Sequence, residues 1–346
     1  MHSDKMGLSE AFGQLLLLVA ALLATIVGTR AFQSLAINRG IVANPNFRSL
    51  HQRPMPRGGG IVFSFVFLFS VVGLWLFTAI DRNLMWPIVF GGTVATVFGF
   101  VDDVVEIGTR TKLVIQSGLA VVVLISIDGQ PLLNLPGIPH FVDLLLSWFA
   151  LVWLMNLYNF MDGIDGMAAS GATFLCLAAI ASLILKGGDR GLLLVFSLLA
   201  ACSFGFLIFN WPPASIFMGD SGSLFLGYCF GALIAKTVTA GQISLWTWLI
   251  VFAYFAGDTS TTTVLRMFML KRWYGAHRSN AYQNLARICG SHRKVVLGVN
   301  LYHILWIFPL AIWSVLMPLT APLASLLAIA PVVLWTFRYG PRLSSS

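Results

Sequence analysis

Charge is what this chain has least of. Only 10% of its 346 residues are Asp, Glu, Lys or Arg, while 58% are hydrophobic. Soluble domains carry about 25% charged residues, so a soluble enzyme is excluded, and so is a soluble domain held by a single anchor. Cysteine is also scarce. The four residues Cys176, Cys202, Cys229 and Cys289 are scattered, with no CxxC and no Cys/His ligand spacing, so neither a structural disulfide nor a zinc site is expected. Internal repeats and low-complexity segments are absent. The expectation is one all-α, polytopic membrane domain over residues 1–346.

Long apolar runs are abundant. Crossing a bilayer core of roughly 30 Å takes about 20 apolar residues. Eleven candidate spans meet that need: 12–37, 59–80, 84–104, 112–128, 141–159, 164–186, 190–209, 221–239, 243–271, 295–316 and 320–338. The first is too long for a signal-peptide core and lacks a small-residue cleavage site after it, so it is expected to be retained. The eighth is the weakest, because Gly222, Gly227 and Gly231 dilute it and Lys236 lies near its end.

Eleven spans put the termini on opposite sides. One side holds residues 38–58, 105–111, 160–163, 210–220, 272–294 and 339–346, and with the adjoining helix ends it carries sixteen of the 21 Lys and Arg. The positive-inside rule makes that side cytoplasmic, with a periplasmic N-terminus and a cytoplasmic C-terminus. The net charge of +8 then reflects topology and an anionic substrate, and nucleic acid is not an expected partner.

The acids on the cytoplasmic side are unusual. Asp102, Asp103, Asp162, Asp165 and Asp220 all lie at or near the ends of apolar runs. An acid at a membrane helix centre costs about 2.5–3.5 kcal/mol, less near the interface, so such residues are functional suspects. Asp102 and Asp103 are adjacent, and two neighbouring carboxylates repel unless a cation sits between or beside them. In "NLYNFMDGIDG", Asn156, Asn159 and Asp162 recur every three residues and stay loosely on one helix face, with Asp165 able to join them after the turn. An Asn amide can donate to a phosphate oxygen, which a carboxylate cannot do. In "FNWPPASIFMGDSGS" two prolines stiffen a loop, glycines flank Asp220-Ser221, and a free helix N-terminus with an Asp beside it suits a metal-bound phosphate. Two basic loops complete the set. "NPNFRSLHQRPMPRGGG" pairs Arg53 and Arg57 with three glycines that let backbone amides approach an anion. "KRWYGAHRSNAYQNLARICGSHRK" mixes Arg with His277, Asn280, Tyr282 and Gln283. Hard oxygen ligands of this kind suit Mg²⁺ or Mn²⁺ held by one or two carboxylates plus substrate phosphates. The residues therefore point to a Mg²⁺-dependent phosphoryl-transfer site at the cytoplasmic face of the membrane.

"VDDVVEIGTRTKLVIQ", "NLYNFMDGIDG" and "FNWPPASIFMGDSGS", in that order, resemble the signature segments of the polyprenyl-phosphate N-acetylhexosamine-1-phosphate transferases, glycosyltransferase family 4. The resemblance runs from the "RPMPRGGG" loop to the "AHRSNAYQ" loop. It implies transfer of a sugar-1-phosphate from a UDP-N-acetylhexosamine to undecaprenyl phosphate in the bacterial inner membrane, with release of UMP. A homodimer would be compatible with it. By the same resemblance Asp102 and Asp103 match the paired catalytic acids, Asn159 and Asp162 the second segment, and Asn210 and Asp220 the third. Asp220 would then ligate Mg²⁺, with Asp103 as a second metal ligand, and Lys112 and Arg53 match basic residues of the substrate site. Much of the family has a His-rich triplet in the last cytoplasmic loop. Here Asn280-Ala281-Tyr282-Gln283 stands in its place, a version that resembles the branch initiating O-antigen and related surface polysaccharides. His277 is the first candidate to replace the absent His and Arg278 the second. Glu106 stands where some relatives carry Lys.

Two other classes compete. An ion-coupled transporter would also use intramembrane acids, and Asp258 inside the ninth span suits it, but no repeat is found. A CDP-alcohol phosphotransferase gathers its acids in one extended motif that is absent here. His303 reads as a packed helix residue.

Overall fold

The computed structural model describes residues 8–43, 54–77, 79–105, 107–135, 137–269 and 279–341. The sequence-predicted residues Arg53, Glu106, His277 and Arg278 lie outside these. The described chain is all-α apart from a two-stranded antiparallel ribbon, β1 (Val42–Ala43) and β2 (Met55–Pro56), in which Val42 faces Pro56. The helices are α1 (Leu8–Asn38), α2 (Gly60–Leu76), α3 (Arg82–Val105), α4 (Thr109–Ser126), α5 (His140–Met161), α6 (Met167–Lys186) and α7 (Arg190–Asn210). They continue with α8 (Asp220–Thr239), α9 (Leu245–Val251), α10 (Ala253–Met269), α11 (Ala281–Cys289), α12 (His292–Tyr302), α13 (Phe308–Leu316) and α14 (Ala321–Tyr339).

Among the described residues, nine helical segments are long and apolar enough to cross a membrane, and α2 is a shorter apolar helix. The ninth expected span, 243–271, is not one helix. It divides at Phe252 into α9 and α10. The tenth is helical throughout but joins α12 to α13 through a π-helical turn, His303–Ile307. There His303 stacks on Phe174 with ring centroids 4.4 Å apart, as a packed residue. The short helix α11, which the hydropathy pattern did not single out, is amphipathic and starts at a capping box formed by Asn280 and Gln283.

The weakest predicted span turns out to be the central one. Helix α8 is the most buried of the membrane-crossing helices described and packs against α2, α3, α4 and α5. The glycines that lower its hydropathy are what put it there. Lipid tails are as apolar as Leu, so membrane helices associate through close packing at small residues. A Cβ on Gly227 would lie 2.7 Å from the Met155 Cα, and one on Gly222 would lie 2.9 Å from the Gly60 Cα. This arrangement brings the C-terminal ends of α3 and α5 to the N-terminal ends of α4 and α8 at one end of the bundle.

The three glycines of "RPMPRGGG" serve the same packing. Gly59 N donates to the Phe217 carbonyl at 3.0 Å and Gly60 N to the Met218 carbonyl at 2.9 Å, while Phe217 N donates to the Pro56 carbonyl at 2.8 Å. The expected anion-binding amides of Gly59 and Gly60 are therefore spent on the segment that leads into α8. The glycines permit that close backbone approach, which any side chain on Gly60 would prevent.

Candidate active site

The site grows from the start of α8. The first amides of a helix have no intrahelical acceptor, and the N-cap of α8, Gly219, has no side chain to supply one. Asp103 of α3 supplies it from outside, accepting Asp220 N at 2.8 Å on Oδ1 and Ser221 N at 3.1 Å on Oδ2. The Arg57 guanidinium closes the arrangement, with Nε 2.8 Å from Asp103 Oδ1 and Nη2 3.8 Å from Asp220 Oδ1. The side chain of Asp103 is fully buried. Its carboxylate anchors the helix and the arginine, which leaves little of it for the metal-ligand role expected above.

Asp102, one residue earlier, faces the other way. Its Oδ1 accepts Ile107 N at 2.7 Å, and its Oδ2 contacts the Lys112 ammonium. Lys112 also donates to Asp220 Oδ2 at 3.0 Å, so one cation bridges carboxylates from α3 and α8. Asn159 of α5 donates to Asp220 Oδ1 and to Ser223 Oγ, each at 2.9 Å. Four segments besides α8 therefore converge on Asp220: α3, α4, α5 and the stretch that carries Arg57. Asn156, a turn deeper, donates to Gln116 of α4 at 2.7 Å.

Asp162 caps the C-terminal end of α5 and is half-buried. Burial pushes its pKa well above the ordinary carboxylate value, the carboxylates of Asp220 and Asp103 add to the rise, and Arg57 opposes it. No other side chain among the described residues forms a hydrogen bond or ion pair with it, so it is a carboxyl that wants a proton or a cation.

Three predicted residues are placed in the layer behind. Asn210 accepts Gly166 N at 3.0 Å and donates to the Ile216 carbonyl at 3.0 Å, tying the "DGIDG" turn to the "WPPAS" loop. Asp165 accepts Ala214 N at 3.0 Å and lies 3.2 Å from His292 Nδ1. Asn280 caps α11, whose amides Ala281 N and Tyr282 N donate to Asp258 at 2.9 and 3.1 Å. Tyr282 OH then donates to the Phe160 carbonyl at 2.7 Å, two residues before Asp162. Asp258 thus joins the last loop to the acid-bearing end of α5.

The sequence reading paired Arg57 with Arg53 in the glycine loop without giving it a role of its own, and it did not single out Gln116 or His292. Gln116 had a legible signal. It follows Lys112 by four residues on α4 and so shares its helix face.

Mg²⁺ fits this donor set. Asp102 and Asp220 converge on one cation position, now taken by Lys112, and Mg²⁺ is commonly held by one or two carboxylates plus substrate phosphates. No group of three or more His, Cys, Asp or Glu forms a ready-made metal cage among the described residues, so substrate phosphates would have to complete the coordination.

Together these observations define an all-α polytopic membrane protein with an acid- and amide-rich site where four helix ends meet. A family model described as "Glycosyl transferase family 4" matches residues 85–238. The chain is 30% identical to "Probable undecaprenyl-phosphate N-acetylglucosaminyl 1-phosphate transferase" of Bacillus subtilis, over 82% of this chain and 80% of that protein. It is 29% identical to "Decaprenyl-phosphate N-acetylglucosaminephosphotransferase" of Mycolicibacterium smegmatis, over 82% and 78%. It is also 29% identical to "Phospho-N-acetylmuramoyl-pentapeptide-transferase" of Streptococcus pneumoniae, over 70% and 78%. The chain belongs to glycosyl transferase family 4.

Proposed function

We propose that the protein transfers an N-acetylhexosamine-1-phosphate, or a related amino-sugar-1-phosphate, from a UDP-sugar to undecaprenyl phosphate at the cytoplasmic face of the bacterial inner membrane. UMP is released, and the product starts a lipid-linked surface polysaccharide such as O-antigen. The observation that carries this reading is the convergence of Asp102, Asp103, Asp220, Lys112, Arg57 and Asn159 at one end of an apolar bundle. Such a site can meet a lipid phosphate from the bilayer and a nucleotide sugar from water. The names of two relatives contain N-acetylglucosamine, so UDP-GlcNAc is the first donor to test.

In the reaction an oxygen of the lipid phosphate attacks the phosphorus that bears the sugar, and the bond to the UMP phosphate breaks. A phosphate monoester has a second pKa of roughly 6, so most of the acceptor is already dianionic at neutral pH and gains little from a general base. Asp220, with Asp102, would hold Mg²⁺, which when bound neutralises diphosphate charge and helps UMP leave. Lys112 and Arg57 bring positive charge to phosphoryl oxygens, and Asn159 orients Asp220. Asp103 keeps the α8 N-terminus in place. Asp258, the residue best suited to ion coupling, is committed to α11, which disfavours the transporter reading.

Purified protein in detergent, with Mg²⁺ and undecaprenyl phosphate, should release UMP from a UDP-N-acetylhexosamine and lose that activity in EDTA. Release of UDP would mean ordinary glycosyl transfer and would overturn the proposal.

A further inference from the structure

A small pocket opens beneath the charged layer, between α3, α4, α5 and α8. Its upper rim is Lys112 and Asp220, its walls include Phe98 and Leu224, and its floor carries Gln116 and Asn156. Gln116 and Asn156 lie four residues beyond Lys112 and three before Asn159, each about one helical turn of 5.4 Å deeper.

The hydrogen bonds fix what this floor offers. Asn156 Nδ2 donates to the Val152 carbonyl at 2.8 Å, and a carbonyl can only accept, so the amide orientation of Asn156 is set. Its second proton goes to Gln116 Oε1 at 2.7 Å, which sets Gln116 in turn. What remains is a donor, Gln116 Nε2, and an acceptor, Asn156 Oδ1, neither with a partner among the described residues. Gln116 is only 5% exposed, and a polar group left without a partner in such a setting is costly. A floor of this kind calls for a ligand with one acceptor, one donor and an apolar end. Phosphate does not suit it, because Asn156 Oδ1 would face another bare oxygen.

We propose that this pocket receives the acetamido group of the donor sugar, an assignment that rests on the transferase reading above. The acetamido carbonyl accepts from Gln116 Nε2, its N–H donates to Asn156 Oδ1, and its methyl lies against Phe98 and Leu224. The acetamido nitrogen is three covalent bonds from the anomeric oxygen, and the amide floor is one helical turn from the charges that would grip the phosphates. Gln116 and Asn156 then select 2-acetamido sugars over 2-hydroxy sugars, without regard to the configuration at C4.

The test compares kcat/KM for UMP release from UDP-GlcNAc and UDP-GalNAc with that from their 2-hydroxy counterparts, UDP-glucose and UDP-galactose. The wild type should prefer the better acetamido donor by about 100-fold or more. Gln116→Met, of similar volume, and Gln116→Glu, which keeps the oxygen facing Asn156, should each lower kcat/KM for that donor by roughly 10- to 100-fold. Both should lower the ratio of acetamido-donor to 2-hydroxy-donor kcat/KM by that same factor. Equal losses on both donors, or no loss, would overturn the pocket assignment while leaving the transferase reading intact. Absence of UMP from every donor would overturn both. A measurement on the wild type alone guards against variants that fail to fold: N-acetylglucosamine-1-phosphate should inhibit at least about tenfold more tightly than glucose-1-phosphate, and equal inhibition would refute the assignment.

Discussion

Gly99 carries no chemistry, yet replacing it with Ala should disable the protein. A Cβ at that position would lie 2.3 Å from the Asp220 carbonyl oxygen and 2.5 Å from its carbonyl carbon, both backbone atoms that no rotamer change can move. Reaching an ordinary contact distance requires α3 and α8 to separate by about 1 Å. That separation pulls Asp102 and Asp103 away from Asp220, and a misplacement of about 1 Å costs on the order of 100-fold in rate. In barrier terms this is about 2.7 kcal/mol. Overpacking also destabilises by about 1–3 kcal/mol, so the unfolding temperature should fall. The assay is UMP release at saturating donor, alongside thermal unfolding in detergent. Gly118→Ala serves as the control, because Gly118 lies on α4 with nothing within 4 Å of an added methyl, and it should match the wild type in activity. Gly99→Ala turning over within about threefold of the wild type, with unchanged unfolding temperature, would refute the claim that this helix contact sets the site.

Three further outcomes follow from the same geometry. Asp162 has a folded-state pKa well above that of an unfolded Asp, near 3.9, so the folded state holds its proton more tightly and ligand-free stability falls as pH rises from about 4 through the folded pKa. Asp162→Asn, which cannot ionise, should flatten that slope in thermal unfolding above about pH 4 while losing activity, and an unchanged slope would contradict it. Asp258→Ala removes the acceptor of two α11 amides and should lower kcat/KM at least about tenfold, whereas Asp258→Asn, which keeps one acceptor oxygen, should recover part of the loss; equal defects would argue against a capping role. Asp102→Asn should lose activity at every pH, and complete recovery at high pH would instead identify Asp102 as a general base.

Much of the fold was legible because apolar run length is a direct physical requirement of the bilayer. The parts that were not legible share a cause. Hydropathy scores Gly222 and Gly227 as weaknesses, whereas in lipid their small size is what lets α8 occupy the centre. The break at Phe252 has no Pro or Gly beside it to announce it. Among site residues, the acids were visible because burying them is costly, and Asn159 and Asp220 were visible through spacing. What spacing could not disclose was the partner of each group. Asp165, Asn210 and Asn280 have the residue types of substrate ligands, but their hydrogen bonds here go to the chain itself. Arg57 was visible beside Arg53 and the glycines, but nothing in the sequence showed that Asp103 is its partner.

The adjacent acids show how partners decide roles. In sequence, Asp102-Asp103 reads as a repelling pair in need of a cation between or beside them. On a helix of 3.6 residues per turn, however, neighbours point about 100° apart, so the two carboxylates cannot easily share one ion. Each has its own: Lys112 for Asp102 and Arg57 for Asp103. Arg57 remains partly exposed at 30% while Asp103 is sealed, so the inner pair fixes α8 and Arg57 can still reach a phosphate. Lys112 is similarly part-exposed at 33%, and it bridges Asp102 to Asp220. Asp102 and Asp220 are the carboxylates that would hold a dication there, and the Lys112 ammonium beside them would meet phosphoryl charge. The pair thus divides into an anchor and a cation holder, and Asp220 belongs to both because its amide binds the anchor and its carboxylate joins the holder.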